Sequence, residues 1–311
     1  MSPYRTPLLI TILLWASAGQ GLAAVAQSAG GGSGWKLCWS DEFGGNRVDP
    51  TRWRFDLGNV EGWGNKELEY FTSRPENVYV KDGMLHIRAM RESFAGYQFT
   101  SARLSTRGLF STTYGRFEFR AKLPTGQGLW PVIWLMPMDS AYGPWPASGE
   151  IDVLEAHAKE PGRVVGTIHY GSPWPAIASV NARYPVPGGL DQFHVYTLDW
   201  EPGVIQWYVD GKLCEDRRNW WSSSRTDAHG EGLKNTPASE RNPWPAPFNK
   251  RFYIIINLSV GGTFGGKPDP RVFPQEMVLD YVRVYRKTSY GLPALNSLTV
   301  KAPVELLGAR R

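Results

Sequence analysis

The decisive part of this sequence is residues 148–155, SGEIDVLE, which place three carboxylates within six positions. The aliphatic and β-branched residues around them favour a β-strand. Ionised carboxylates that lie close together repel one another, so a segment shaped only by packing would avoid them. Hydrolysis of a glycosidic bond, by contrast, requires two neighbouring carboxyl groups of unequal pKa, one nucleophile and one proton donor. The segment therefore predicts an enzyme that acts on sugars.

The spacing of the three acids predicts an irregular strand. Side chains alternate between faces, so Glu150 and Asp152 share one face, whereas Glu155 should point to the other. A β-bulge absorbs one residue and would return Glu155 to the carboxylate face, so we expect a bulge around Val153-Leu154. Glutamate carboxylates that converge to about 5 to 5.5 Å indicate a retaining mechanism through a covalent glycosyl-enzyme. The alternative is a solvated strand face with ordinary acids.

Aromatic residues are numerous, with 14 Trp, 14 Tyr and 13 Phe. Indole rings stack on the apolar faces of pyranose rings, and the indole N–H can still hydrogen-bond at a wet surface. The tryptophans close to Gly, Pro, Asn or another aromatic residue are candidates for this role: Trp63, Trp130, Trp134, Trp145, Trp174, Trp220, Trp221 and Trp244. Part of this set belongs to the core, and Trp134, within an apolar run, fits either environment.

The N-terminus predicts export. Arg5 precedes an apolar stretch of about ten residues, too short to span a bilayer, which is typical of a secretory signal peptide. We therefore expect a signal peptide over residues 1–26, a flexible Gly/Ser-rich leader over residues 27–34, and a secreted protein, extracellular or periplasmic. No later apolar stretch is long enough for a membrane helix, so no membrane partner is expected.

The charge and the cysteines narrow the function classes. The net charge of +5 is scattered without a basic stripe, so no nucleic-acid partner is predicted. The chain has two cysteines, Cys38 and Cys214, too few for a disulfide scaffold. They either form one disulfide or stay unpaired, and the sequence leaves both possibilities open.

Short strand-like runs separated by turn residues recur over residues 35–288, and long amphipathic helical periods are absent. This pattern predicts one all-β domain, an antiparallel β-sandwich. In residues 114–122, Phe117, Phe119 and Ala121 alternate with charged residues, as in a half-buried strand. Residues 215–250 are predicted to form a long loop, functional or mobile. The C-terminal tail, residues 289–311, has no clear pattern and is expected to be disordered.

Ordered motifs along the chain resemble glycoside hydrolase family 16, and within it the laminarinase-like endo-β-1,3-glucanases. They cover nearly all of the predicted domain: WSDEF at 39–43, ELEYFT at 67–72, YGRFE at 114–118, GLWP at 128–131, GEID at 149–152, TIHYG at 167–171, NLSVGG at 257–262 and DYVRVY at 280–285. The resemblance implies a jelly roll of the concanavalin A-like kind, whose concave sheet forms an open cleft for a polysaccharide.

The same resemblance implies roles for the acids: Glu150 as nucleophile, Glu155 as general acid/base, and Asp152 as the residue that orients the nucleophile and tunes its charge. Ionised neighbours would raise the pKa of Glu155, as a proton donor near neutral pH requires. The substrate-binding residues implied by the resemblance are Asn77, Arg103, Trp130, Trp134, Trp145, His169 and Trp174. Asn77 as a turn residue, Arg103 as a surface cation and His169 as a core histidine are the alternatives.

The resemblance also implies a structural Ca²⁺ bound by backbone oxygens of Glu42 and Gly83 together with Asp280, in line with the preference of Ca²⁺ for hard oxygen ligands. A hydrogen bond at a strand end is the alternative role for Asp280. No cofactor is expected for catalysis. Glu69 departs from the family pattern, which commonly has Gln there, and a third acid near the sugar would alter subsite preference or pH response.

These expectations describe a secreted, monomeric, retaining endo-hydrolase of β-1,3-glucan that also accepts mixed β-1,3/1,4-glucan. Two other functions remain open. A glucan-recognition protein without turnover would commonly lack the catalytic glutamates, and both are present here. Hydrolysis of another polysaccharide, such as agarose, would use the same chemistry with different sugar contacts.

Overall fold

The computed structural model describes residues 34–290. The predicted signal peptide, the leader up to residue 33 and the tail from residue 291 lie outside the described residues. Within the described residues, no helix is both long and apolar enough to cross a bilayer.

Strands dominate the described chain, and we number them in sequence order. They are β1 (Trp35–Asp41), β2 (Arg54–Phe55), β3 (Glu69–Phe71), β4 (Val78–Lys81), β5 (Met84–Phe94), β6 (Tyr97–Ser101), β7 (Arg103–Ser105), β8 (Gly115–Lys122), β9 (Leu129–Pro137), β10 (Glu150–Glu155), β11 (Arg163–Gly171), β12 (Ile177–Pro185), β13 (His194–Glu201), β14 (Val204–Val209), β15 (Lys212–Arg217), β16 (Phe252–Val260) and β17 (Gln275–Lys287). The helical elements are short: α1 (Gly262–Gly265) and 3₁₀ turns at Val60–Gly64, Ala238–Glu240, Pro270–Val272 and Thr288–Tyr290.

The strands form two sheets. The ten-stranded sheet has the order β15-β14-β13-β8-β17-β5-β6-β3, with β1 added to β17 and β4 added to β5. The seven-stranded sheet has the order β12-β11-β10-β9-β16-β7-β2. Among the described strands, β3 and β6 pair in parallel and the other pairings are antiparallel. The predicted all-β sandwich is confirmed.

Alternation along the strands builds the core between the sheets. In β8, Phe117, Phe119 and Ala121 are fully buried while Arg116, Arg120 and Lys122 are partly exposed, as the sequence pattern predicts. Large side chains of β13 and β14 meet the aliphatic side chains of β9 and β16 in one continuous cluster. This core fixes the inner face of the seven-stranded sheet, so its outer face, here called the site face, is free to carry polar residues.

Strand register places the predicted functional residues on the site face. Residues that pair across neighbouring strands share a face. His169 of β11 is paired with Glu150 of β10, and Asp152 of β10 is paired with Trp134 of β9. Val132, two positions before Trp134 and so on the same face of β9, pairs with Asn257 of β16, which in turn pairs with Arg103 of β7. A single face of the sheet therefore gathers side chains that lie more than 150 residues apart in sequence.

The predicted bulge in β10 is confirmed. Against β9, Asp152 pairs with Trp134 and Leu154 with Ile133, so Val153 is the additional residue. The same shift occurs against β11, between Asp152 and Glu155. Because the bulge absorbs one residue, Glu155 returns to the face that Asp152 occupies.

The loop predicted at 215–250 begins later, since β15 continues to Arg217. Its path is held by hydrogen bonds to two other connecting segments, before β10 and between β11 and β12: the Ser222 hydroxyl donates to the Ala147 carbonyl (2.7 Å) and the Gly232 N–H to the Trp174 carbonyl (3.3 Å). Cys38 and Cys214 are both unpaired, so of the two alternatives the one without a disulfide is observed.

Candidate active site

Each glutamate of β10 accepts a hydrogen bond from an indole. The Trp145 N–H donates to Glu150 Oε2 at 2.6 Å. The Trp130 N–H donates to Glu155 Oε1 at 3.2 Å, and the Thr167 hydroxyl donates to Glu155 Oε2 at 3.3 Å. The two carboxylates therefore have different partners, and the contact to Glu150 is the shorter one.

His169 lies between the acids as a cation. Its Nε2 is 3.3 Å from Asp152 Oδ2 and 4.0 Å from Glu150 Oε1. Burial lowers the pKa of His169, but the hydrogen bond to Asp152 and the surrounding negative charges outweigh it and raise the pKa to about 9. At neutral pH the imidazolium thus offsets part of the negative charge in the cluster.

Among the described residues, these three side chains are also close enough together to hold a metal ion. Donor atoms of Glu150, Asp152 and His169 lie within 4.8 Å of one another. Because the pKa of His169 is raised, its ring holds a proton at neutral pH, and a metal ion would have to displace it.

Burial and mutual repulsion raise the pKa of both glutamates. Burial and the charge of Asp152 raise the pKa of Glu150 to about 8, opposed by His169 and by the Trp145 N–H. Burial, Asp152 and Glu150 raise the pKa of Glu155 to about 8. Ionising both carboxyl groups in one desolvated site is energetically unfavourable, so the pair keeps one proton at neutral pH. The short indole contact favours the ionised form of Glu150.

Two buried side chains hold the bulge from the core side. The Trp207 N–H donates to the Asp152 carbonyl (2.9 Å), and the Tyr184 hydroxyl donates to the Val153 carbonyl (2.9 Å). Gly166 leaves room for the indole, because a Cβ there would lie 2.6 Å from Trp207 Nε1. Sequence reasoning missed these residues, although an isolated glycine in the β-branched run of β11 is a signal for close approach.

At one end of the row, Arg103 lies between two indoles. Its Cζ is 4.4 Å from the centre of the Trp63 ring and 4.8 Å from that of Trp134, and its Nε is 3.2 Å from Asp56 Oδ2. Trp134 donates its N–H to Asn257 Oδ1 at 2.8 Å. Arg103 is therefore part of an ordered aromatic site and not a loose surface cation.

At the opposite end, beside Glu150, two indoles form a platform. Trp145 and Trp174 are stacked with ring centres 5.7 Å apart, and Trp145 lies 5.9 Å from the His169 ring. Trp174 is 60% exposed, an unusual degree for so large an apolar side chain. An exposed, ordered indole of this kind suits stacking on a sugar ring.

Asn77 does not join this site, which corrects the sequence-based expectation that it binds substrate. Its side chain is fully buried. Its Oδ1 accepts from Thr72 and Arg74, and its Nδ2 donates to the Arg88 carbonyl and to Thr100. With its hydrogen-bonding capacity used inside the protein, Asn77 stabilises the segment before β4 and offers nothing to a ligand.

The residues expected to bind calcium fit the ion poorly. Asp280 lies at a bulge of β17, and its carboxylate accepts from Arg120 Nη1. The Glu42 carboxylate is held by Arg283 through two hydrogen bonds. Calcium prefers six to eight oxygen ligands with net negative charge. The one carboxylate of the expected set, that of Asp280, is already paired with Arg120, so a cation there would have to displace a guanidinium.

Comparison with known proteins agrees with the motifs and the site geometry. The profile of "Glycosyl hydrolases family 16" matches residues 65–227. The chain is 42% identical over 276 residues to Glucan endo-1,3-beta-glucosidase A1 of Niallia circulans, covering 82% of this chain but 38% of that protein. It is 43% identical over 259 residues to the Beta-glucanase of Rhodothermus marinus, covering 81% and 85%.

A solved structure shows the same fold. The X-ray structure of the laminarinase from Rhodothermus marinus matches with a TM-score of 0.71 at 43% identity, covering 81% of this chain and 98% of that one. A family profile over more than half of the sequence and relatives above 40% identity leave one assignment: the chain belongs to glycosyl hydrolases family 16.

Proposed function

We propose that this protein is a retaining endo-hydrolase of β-1,3-glucan of the laminarin type, which also accepts mixed β-1,3/1,4-glucan. The observation that carries the proposal is the pair of glutamates on β10, which the bulge places on one face and whose pKa values are both raised by burial and by neighbouring acids. The names of the relatives in Niallia circulans and Rhodothermus marinus support a β-glucan substrate.

The first half of the reaction forms a covalent intermediate. The ionised Glu150 carboxylate attacks the anomeric carbon, and the bond from that carbon to the leaving oxygen breaks. Glu155 transfers its proton to the leaving oxygen, so the departing chain leaves as an alcohol. His169 and the Trp145 N–H hold Glu150 in the charged form that attack requires.

The second half returns the enzyme to its starting state. Glu155, now ionised, takes a proton from a water molecule whose oxygen bonds to the anomeric carbon, and the ester to Glu150 breaks. Two inversions at the same carbon give net retention. Asp152 beside His169 keeps the imidazolium in place through both steps, since Asp152 Oδ2 is its nearest partner.

The aromatic residues at the two ends of the row line the binding site for the sugar chain. We assign sugar stacking to Trp145 and Trp174 on one side of the glutamates, and to the Arg103 and Trp134 end on the other. Both ends are open in the sense that Trp134, Arg103 and Trp174 retain exposed surface. A row with binding surface on both sides of the cutting point suits internal cleavage of a long chain.

The remaining parts of the proposal concern the whole chain. Residues 35–288 form the catalytic domain, residues 1–26 direct export, and the secreted protein works as a monomer. The export signal rests on Arg5 and the apolar stretch after it. A chain produced with its N-terminus intact should be recovered outside the cytoplasm, beginning after Ala26, and N-terminal sequencing would show this.

Product analysis tests the reaction. We expect the mature protein to release oligosaccharides from laminarin whose newly formed ends are β-anomers at early times, followed by NMR before mutarotation. α-Anomeric products would contradict retention. Binding of laminarin without release would favour a recognition protein, and neither binding nor release would direct the search to lichenan, agarose and other galactans.

The hydrogen bond from Trp145 to Glu150 gives a prediction for pH dependence. The N–H stabilises the ionised carboxylate, so Trp145→Phe removes that stabilisation and raises the pKa of Glu150. A hydrogen bond to a charged group is worth about 1.5–3 kcal/mol, which corresponds to a shift of about one to two pH units. We therefore expect the acid limb of the kcat/KM profile on laminarin to move to higher pH by this amount.

Trp174→Phe is the matched control for this prediction. It changes an indole of the same platform without touching Glu150, so it should alter KM while leaving the acid limb in place. An acid limb that stays unmoved in Trp145→Phe would show that the indole contact does not tune Glu150.

A further inference from the structure

A second pair of acids, unused by the proposed reaction, is buried behind the Trp134 end of the site. Glu67 and Glu69 lie on the same side of their segment, since Leu68 between them points outward and is 43% exposed. Glu69 is fully buried and Glu67 nearly so. Among the described residues, Glu67 is the ionisable group whose charge acts on Glu69.

The surroundings of Glu69 favour its protonated form. Its Oε2 accepts from the Val260 N–H at 2.7 Å, and the Glu67 carboxyl is its acidic neighbour two residues away on the same side of the segment. Its Oε1 is buried and meets no donor, so a proton on this oxygen is what completes the contact to Glu67. Burial and the charge of Glu67 raise the pKa of Glu69 well above its usual range.

A directed chain of hydrogen bonds connects this pair to the site face. The Ser259 hydroxyl donates to Glu67 Oε2 (2.6 Å), and Asn257 Nδ2 donates to Ser259 Oγ (2.8 Å). Asn257 Oδ1 in turn accepts from the Trp134 N–H (2.8 Å). Because each group acts once as donor and once as acceptor, the charge on Glu67 fixes the direction of the whole chain.

The other side of Trp134 is set independently. Arg103 of β7 lies over its ring and is paired with Asp56, and Asp152 of β10 is the charged cross-strand neighbour of Trp134. The backbone around the acids is also fixed, since Asn59 Nδ2 donates to the carbonyls of Glu67 and Glu69. The hydrogen bond from the Trp134 N–H to Asn257 is therefore the contact of this indole that can change with the protonation of the two acids.

We propose that Glu67 and Glu69 form a buried acid dyad that shares one proton and positions Trp134 for sugar binding through Ser259 and Asn257. Glu69 acts through other residues and is a positioning residue. Loss of the shared proton at alkaline pH leaves two negative charges in a buried space. This weakens the hydrogen-bonded chain from Glu67 to Trp134, so sugar binding weakens while the reaction at the glutamates of β10 continues. The inference rests on the proposed function for its kinetic part.

Glu69→Gln tests the dyad, because an amide can accept from the Val260 N–H and donate to Glu67 but cannot titrate. At about pH 6 we expect the KM for laminarin to equal that of the wild type, and at about pH 9 to be about three- to tenfold lower, the size of one net hydrogen bond. The pH profile of kcat should not change. Glu61→Gln, an exposed acid of the preceding segment, is the charge-matched control and should leave both KM values unchanged.

Thermal unfolding tests the dyad without substrate, so it still reports if the proposed function fails. The raised pKa of Glu69 contributes stability below the unfolded pKa of about 4.3, which is lost as pH rises toward the folded pKa. The Tm of Glu69→Gln should therefore equal or fall below that of the wild type at about pH 4, and exceed it increasingly toward about pH 9.

The Tm measurement tests the shared proton, and the KM measurement tests the positioning of Trp134. A Tm difference that does not change with pH would overturn the shared proton. A pH-dependent Tm difference with identical KM profiles would overturn the positioning of Trp134. Ser259→Ala breaks the chain, so it should raise KM at both pH values and remove the advantage of Glu69→Gln; an advantage that persists in the double variant would contradict the route through Ser259.

Discussion

Replacing Glu150 with glutamine should nearly abolish hydrolysis of laminarin, lowering kcat by at least about 10⁴-fold. The amide has the shape of the carboxylate but no charge, so it cannot form the ester with the anomeric carbon. Because Glu150 is the first residue of β10 and lies on the site face and not in the core, we expect the Tm of Glu150→Gln to remain at or above that of the wild type.

The loss of charge has a second consequence. The charge of Glu150 is one cause of the raised pKa of Glu155, after burial and Asp152. In Glu150→Gln the pKa of Glu155 should therefore fall, which is measurable by NMR titration of the labelled side chain. Residual activity above about 1% of the wild type in a pure, folded variant would show that another group is the nucleophile.

Sugar binding should survive this substitution. Trp145, Trp174 and Trp134 remain in place, so isothermal titration with laminari-oligosaccharides is expected to give a Kd close to that of the wild type measured with an uncleaved short ligand. Glu42→Gln, which changes an acid held by Arg283 outside the row, is the matched control and should retain full activity. Loss of binding in Glu150→Gln would indicate a disturbed site instead of a missing nucleophile.

Features of the site that depend only on residues close together in sequence could be predicted from the sequence. The odd spacing of Glu150 and Glu155 is incompatible with a shared face in a regular strand, so a bulge followed from the assumption that both act together. Alternation within β8 likewise follows from period two. These inferences needed only neighbours in the chain, and the structure confirms the bulge and the strand.

Contacts between distant strands lie beyond such reasoning. The family resemblance implies that Asn77 binds substrate, yet its polar atoms turn inward to Thr72, Arg88 and Thr100, and no local pattern shows in which direction an amide points. The indole of Trp207 reaches the bulge from the other sheet, 55 residues away. Burial and ion pairing, which separate a ligand-binding Asp280 from one held by Arg120, likewise depend on the assembled fold.

Glu155→Gln should show a loss that depends on the leaving group. Without the acid, an alkoxide must depart from laminarin unprotonated, and general acid catalysis of this kind contributes about 10²–10⁴-fold. An aryl β-laminarioside with an acidic phenol as leaving group needs no proton, so the first step should remain fast. The covalent intermediate then accumulates, because no base activates water, and a burst of phenol followed by slow turnover is expected.

The pH profile and rescue complete the assignment of Glu155. In the wild type, the alkaline limb reflects loss of the Glu155 proton, whose pKa is raised to about 8 by burial and by Asp152 and Glu150. The limb should disappear in Glu155→Gln, since the amide does not titrate. Azide needs no general base, so it should restore turnover on the aryl substrate and give a β-glycosyl azide, retained because Glu150 still forms the intermediate. An α-azide, or an unchanged alkaline limb, would assign the proton donor to a different residue.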